Sequence, residues 1–156
     1  MFLPQKTEIE ASIIGRMIRF GDRAHEIISK ISSHHFYSER HREIFEATSK
    51  IAASASPNLQ TVHAELARSG KLEAIGGAAY LLELTDSAIS MVGAEAEISA
   101  VLDAYKRRQA IELSRWILSK SEEADDADEL VTGIVGKVTE IVNGSGSKRS
   151  GYAHAA

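Results

Sequence analysis

The fold is decided by the stretch AEAEISAVLDAYKRRQAIELSRWILSKS, residues 94–121. Its apolar side chains recur every three or four residues, which is the spacing of one face of an α-helix. The residues that share this spacing are Ile98, Val101, Leu102, Tyr105, Gln109, Leu113, Trp116 and Ile117. With a rise of about 1.5 Å per residue, such a helix extends about 40 Å, which is long for a small domain.

A second apolar helical pattern follows an acidic break at residues 122–126. Asp126 or Asp128 can cap this helix at its N-terminus. Its apolar residues are Leu130, Val131, Ile134, Val135, Val138, Ile141 and Val142. Because the break is short, the two helices are expected to form an antiparallel hairpin. The Gly- and Ser-rich composition of residues 143–156 is typical of a flexible linker, and we expect the chain to end in it.

The hairpin has more apolar side chains than two paired helices can cover. Apolar residues left over in this way usually contact a third partner, often another subunit. We therefore predict oligomerisation through the hairpin, with the interface formed by Ile98, Val101, Leu102, Tyr105, Gln109, Leu113, Trp116, Ile117, Ile134, Val138 and Ile141. Alternatively, the part of the chain before the hairpin folds back over it and covers these side chains.

The chain before the hairpin consists of shorter helical patterns. Thr7 and Glu10 have the spacing of a capping box that starts the first helix. Ser38 and Thr61 are candidate N-caps of later helices, and Gly70 is a candidate helix end. No strand pattern competes. The predicted fold is all-α: a globular head of about five short helices (residues 1–92), a helical hairpin that serves as the oligomerisation arm (93–142) and a tail (143–156).

Composition excludes several classes of protein. The 156 residues are 44% apolar and 26% charged, as in one globular domain. Cysteine is absent, so disulfides, thiol nucleophiles and Cys-based metal sites are excluded. The net charge of −4 argues against general binding of nucleic acid. No uncharged run approaches a membrane span, and the acidic start does not suit a signal peptide. Neither Gly-Lys pair, at residues 70–71 and 136–137, has the rest of a P-loop.

The polar clusters have structural interpretations. His34, His35 and His41 lack the spacing of metal ligands, and we expect His41 to make a structural hydrogen bond at a helix start. Glu8 and Glu10 lie two residues apart and so do not share a helix face. The basic triplet 106–108 is interpreted as a solvated helix face. We therefore predict no catalytic, metal or cofactor residues in this chain.

Three motifs together resemble the N-terminal domain of bacterial replicative DNA helicases of the DnaB family. They are P-x-x-x-E-x-E-x-S-I-I-G at residues 4–15, F-Y-x-x-x-H-R-x-I-F at 36–45, and a motif at 61–84 that consists of T-V-x-x-x-L at 61–66 followed by G-x-L-x-x-I-G-G-x-x-Y-L-x-x-L at 70–84. A weaker fourth match is the basic stretch at 105–108. The residues that carry the resemblance are Glu8, Glu10, Gly15, Phe36, Tyr37, His41, Arg42, Ile44, Phe45, Leu72, Gly76, Gly77, Tyr80, Leu81 and Leu84.

The resemblance implies a function in DNA replication in the cytoplasm. In that family the hairpins pair subunits as a dimer, and the domains form a hexameric collar, often a trimer of dimers. The collar binds the C-terminal domain of primase, and loader proteins act on the same enzyme. ATP and Mg²⁺ belong to the motor domain, to which no position here corresponds.

We therefore expect a non-catalytic collar domain of a replicative helicase, which mediates assembly and primase docking. One alternative is a standalone helicase-like regulator, of phage or plasmid type, that binds helicase or primase. Another is a DNA-binding accessory protein that uses cations of the long helix and the tail, which are Lys106, Arg107, Arg108, Arg115, Lys148 and Arg149. The acidic net charge favours weak DNA binding at most.

Overall fold

A computed structural model describes residues 3–146. They contain seven α-helices: α1 Thr7–Arg19, α2 Ala24–Ile28, α3 Glu39–Ala52, α4 Leu59–Arg68, α5 Gly77–Ser87, α6 Ala94–Glu123 and α7 Ala127–Gly146. Two short 3₁₀ helices, Gly21–Arg23 and Ser33–His35, join the early ones. The described residues include no strand, and the all-α prediction with its helical hairpin is confirmed.

The chain divides into two compact units. The larger unit is Gln5–Asp103, and the smaller one comprises, among the described residues, 3–4 and 104–146. The division falls inside α6, so the first ten residues of this helix belong to the larger unit. The larger unit therefore extends past residue 92, the predicted boundary between head and arm.

The larger unit is built around α1. This helix packs against α2, α3, α4 and α5. Its spacing of apolar residues places Ile13, Ile14 and Met17 on the covered face, where each is fully buried. The core is completed by buried side chains from the other helices, among them Ile27, Ile44, Phe45, Val62, Leu66, Leu81, Leu84, Ile98 and Val101.

Glycine permits the close contact between α1 and α5. A Cβ atom at Gly15 would lie 2.1 Å from the carbonyl oxygen of Leu84, so a side chain cannot fit without displacing the backbone. At the start of α5, Gly76 and Gly77 have φ angles of +106° and +74°, which side-chain-bearing residues rarely adopt.

The helix ends agree with the sequence in some places and differ in others. Gly70, with a φ of +72°, follows the end of α4 as predicted. The capping box of Thr7 and Glu10 is wrong, because Lys6 is the N-cap residue of α1 and no side chain caps it. The N-cap of α4 is Asn58, whose side chain accepts from the amide of Thr61, and not Thr61 itself.

The smaller unit contains most of the hairpin. Helices α6 and α7 are separated by residues 124–126, and Asp126 Oδ1 accepts the amide of Asp128 at 2.8 Å, as expected of an N-cap. Trp116 on α6 lies beside Gly133 on α7, where an added Cβ would be 3.3 Å from the indole ring. Helix α7 continues to Gly146, beyond the predicted end of the hairpin at 142, and residues 147–156 of the predicted tail lie outside the described residues.

The helices of residues 3–146 do not suit a bilayer. None of them combines the length and the apolar character needed to cross a bilayer.

Candidate interaction surfaces

A cleft lies between the two helices of the hairpin, α6 and α7. Gln109, Leu113, Trp116 and Ile141 line a cleft of about 300 Å³ between the two helices, together with the side chain of Lys137. The Lys137 ammonium lies 5.1 Å from the centre of the Trp116 ring, a cation–π contact. These predicted interface residues therefore line the cleft between the two helices of the same chain, and each stays half-buried.

The outer face of α7 carries an exposed apolar stripe. It consists of Val131, Val135, Val138 and Val142, which are 57%, 60%, 43% and 63% exposed. Their spacing of four, three and four residues places them along one side of the helix, as in the seam of a coiled coil. We call this set the valine stripe.

Only Val138 of the valine stripe was among the predicted interface residues. The sequence carries a signal for the other three, because α7 has apolar residues around more than one side. A helix that is apolar on two sides needs a partner on each. In α7 the half-buried residues Leu130, Ile134 and Ile141 form a second apolar line, separate from the valine stripe.

The N-terminal part of α6 corrects the predicted interface. Ile98 and Val101 are 4% and 1% exposed and belong to the core of the larger unit, and Leu102 packs against that core. The first two therefore have almost no surface left for another subunit. They are buried because the first ten residues of α6 belong to the larger unit. Tyr105, Ile117 and Ile134 are half-buried.

The family-motif residues meet in a buried polar network. Glu10 and His41 have side chains 1% and 2% exposed, and Glu10 Oε2 lies 2.8 Å from His41 Nδ1. The other ring nitrogen, Nε2, lies 2.7 Å from the hydroxyl oxygen of Tyr80. Because a carboxylate only accepts, Nδ1 carries a proton, and the second hydrogen bond joins Nε2 to the Tyr80 hydroxyl. The network joins α1, α3 and α5, and the predicted structural hydrogen bond of His41 is confirmed.

The Glu10 carboxylate also holds the start of α3. It accepts the backbone amides of Tyr37 and Ser38, the residues that precede this helix. Burial raises the pKa of Glu10, but the hydrogen bonds from His41 and these two amides outweigh it, so the pKa lies below its usual value. Burial also raises the pKa of the Tyr80 hydroxyl. The group is thus an ionised carboxylate with every neighbour donating to it, which suits a structural role.

The other family-motif residues pack around this network. Phe36 and Phe45 are buried with ring centres 5.1 Å apart. Arg42 donates to the carbonyl oxygens of Phe36 and Tyr37 at 2.9 and 3.1 Å. Glu8 is exposed. The remaining family-motif residues lie in the core or in turns, and they are Gly15, Ile44, Leu72, Gly76, Gly77, Leu81 and Leu84.

The basic triplet does not present three cations to solvent. Arg108 is 6% exposed and donates to the carbonyl oxygen of Pro4 at 2.8 Å, within the smaller unit. This contact leaves less positive charge on the surface for DNA than the sequence suggested. Among residues 3–146, no group of three or more His, Asp or Glu side chains is placed to hold a metal ion.

Known proteins resemble this chain in sequence. Residues 3–103 match the family described as the DnaB-like helicase N terminal domain. The replicative DNA helicase DnaB of Geobacillus stearothermophilus is 32% identical over 142 residues, which are 88% of this chain and 31% of that protein. The DnaB of Rhodothermus marinus is 28% identical over 137 residues, 86% of this chain and 14% of that protein. This chain thus spans about a third or less of the length of these relatives.

Solved structures share the fold. The N-terminal domain of DnaB helicase from Mycobacterium tuberculosis matches with a TM-score of 0.82 and 24% identity, covering 88% of this chain and 99% of that one. A DnaB-like replicative helicase, described with its interactions with primase, matches with a TM-score of 0.70 and 20% identity over 88% of this chain and 31% of that one. Since the family match covers well over half of the 156 residues, this chain belongs to the family of DnaB-like helicase N-terminal domains.

Proposed function

We propose that this chain is a non-catalytic module that assembles copies of a replicative helicase and receives primase during DNA replication. The observation that carries the proposal is the valine stripe on α7, four apolar side chains that are each at least 43% exposed. We expect the module to act in the cytoplasm, where bacterial DNA is replicated. Loader proteins are further candidate partners.

The valine stripe fits the corresponding stripe of a second copy. Its 4–3–4 spacing allows two α7 helices to pack side by side, which would bury both stripes at once. At about 25 cal/mol per Å² of apolar surface, a few hundred Å² buried would offset much of the cost of association. Such a dimer is the building block that a trimeric arrangement of dimers, a hexameric collar, would need.

Replacing Val135 with glutamate tests the assembly. The Val135→Glu chain is expected to sediment as a monomer at concentrations where the unmodified chain is dimeric or larger, because a charge at the centre of a helix seam stays unpaired. Glutamate is a good helix former, so α7 itself should persist. The measurement is sedimentation equilibrium combined with far-UV circular dichroism.

The matched control is Leu82→Glu. Leu82 is 48% exposed on α5 in the larger unit, so the same charge is added to a comparable apolar position away from the stripe. This variant should assemble like the unmodified chain. Assembly that survives both Val135→Glu and Val138→Glu would contradict the proposal.

Primase is the proposed partner of the module. Support comes from family membership and from the likeness to a replicative helicase described with its interactions with primase. Mixing the full chain with the C-terminal domain of the cognate primase is expected to give a complex that co-migrates on size exclusion. The catalytic domain of the same primase serves as the control and should elute separately. Separate elution of the C-terminal domain at high micromolar concentrations would exclude this partner.

A further inference from the structure

Arg16 is nearly buried, and its guanidinium group donates to four oxygen atoms. Its side chain is 12% exposed. Nε and Nη2 lie 3.2 and 3.1 Å from the two carboxylate oxygens of Glu97, a two-pronged contact with the first turns of α6. Nη1 donates to the carbonyl oxygens of Ser90 and, at 2.8 Å, Val92. One guanidinium group thus holds both the loop before α6 and α6 itself.

The residues around Arg16 complete this arrangement. Ser12, one turn earlier on α1, donates its hydroxyl to Glu97 Oε1 at 3.0 Å. Gly93 turns the loop into α6 with a φ of +88°, and a Cβ at this position would approach Arg16 Nη2 to 3.9 Å. All these residues lie inside the larger unit. We call Ser12, Arg16 and Glu97, with the two loop carbonyls, the arginine clamp.

The loop of residues 88–93 has little else to hold it. Ile89 and Val92 are 90% and 83% exposed, so neither contributes packing. Of the remaining side chains, Ala88 is buried and Met91 packs partly against the core. A loop with so few buried contacts is expected to sample several conformations unless its backbone is bound elsewhere. The arginine clamp supplies that binding through two of its carbonyl groups.

We propose that Arg16 is a positioning residue, which holds the loop of residues 88–93 and the first turns of α6 in one conformation on α1. An ordinary surface ion pair would not do this. Arg19, one turn further along α1, lies 4.0 Å from Asp86, and the two side chains are 48% and 66% exposed. Pairs of that kind contribute little to local order. The proposed assembly uses a hairpin that begins with α6. Any effect of the clamp on assembly therefore rests on the proposed function.

Amide hydrogen exchange of the full chain tests the proposal. In Arg16→Ala, the amides of Val92, Ala94 and Glu97 are expected to exchange at least about tenfold faster. The reason is that the variant loses the charge-assisted hydrogen bonds that hold the loop of residues 88–93 and the first turns of α6. These amides are bonded to Ser90 Oγ and to the carbonyl oxygens of Met91 and Gly93, so they report on the segment directly. The amides of Ile44 and Phe45 in the core should keep their exchange rates.

Two further variants separate positioning from general stabilisation. In Arg16→Lys, one ammonium group cannot bind both oxygens of Glu97 and both carbonyls, so exchange should fall between the unmodified chain and Arg16→Ala. Arg19→Ala removes the same charge from the same helix and should leave the three amides unchanged. Core amides that accelerate as much as the loop amides would overturn the proposal, and so would unchanged loop amides in Arg16→Ala.

The exchange experiment on Arg16 and the assembly experiment on Val135 test different hypotheses. A Val135→Glu chain that stays oligomeric would contradict the proposed function and leave the exchange result of Arg16→Ala intact. Unchanged loop exchange in Arg16→Ala would contradict the clamp, whatever the oligomeric state of the stripe variant.

Discussion

At the scale of single residues, Glu10 joins three helices. Its carboxylate lies on α1, accepts hydrogen bonds from His41 on α3 and from two amides before α3, and through His41 connects to Tyr80 on α5. Burying a charge is unfavourable unless it is hydrogen-bonded, and here three groups donate to the carboxylate. The arrangement makes the mutual positions of the three helices depend on one side chain.

Replacing Glu10 with glutamine is expected to destabilise the chain by about 1–3 kcal/mol, because the amide carries a donor that faces other donors in a buried place. The measurement is urea denaturation at pH 7. Glu8→Gln is the control, since Glu8 is exposed on the first turn of the same helix and should change stability by less than about 0.5 kcal/mol. Equal stability of the two variants would show that the network contributes nothing.

The sequence indicated Glu10 as a residue of a helix start, and its actual role could not be derived from spacing. Its partner His41 is 31 residues away, and Tyr80 is 39 residues beyond His41. Periodicity describes neighbours within about one helical turn. The resemblance to a known family marked all three residues, although it did not show that they touch each other.

At the scale of helices, local patterns predicted the elements better than their caps. The capping residue of α4 is Asn58, three residues before the predicted Thr61. Both residue types are good N-caps, and the two side chains share the cap by reciprocal hydrogen bonds. The choice depends on where the preceding turn ends, and this turn is set by packing: Pro57 lies against Gly21, whose missing side chain makes room for it.

In the hairpin, as in α4, local patterns predicted the helices but not how they pack. The acidic break and the two apolar patterns predicted α6 and α7, but not which side of α7 faces α6. That choice depends on the register, in which the Trp116 ring lies over Gly133. A large ring needs a small residue opposite it, so the line of Leu130, Ile134 and Ile141 turns inward and the valine stripe is left outside.

At the scale of the whole molecule, burial is uneven. From Gln109 to residue 144, none of the described side chains is fully buried, whereas the larger unit has a continuous core. A pair of helices with so little burial gains stability from association, because anything that binds only the folded form stabilises it. The hairpin is therefore expected to be more stable in the assembled chain than in the monomer.

This expectation can be measured with Trp116, which is the sole tryptophan of the chain. Its fluorescence should report an unfolding midpoint in urea that rises with protein concentration, with about 2.7 kcal/mol gained for a hundredfold increase in a dimer. In Val135→Glu the midpoint should be lower and independent of concentration. A midpoint of the unmodified chain that does not change with concentration would contradict stabilisation by assembly.

The helical class, the hairpin and the family could all be predicted from the sequence, because they depend on spacings of a few residues and on short motifs. Which side chains are buried became evident only from the packing of the helices. This packing buried Ile98 and Val101 in the larger unit, brought Glu10, His41 and Tyr80 together and left the valine stripe exposed. These outcomes depend on how whole helices pack, and packing selects among apolar and polar faces that local spacing makes equally available.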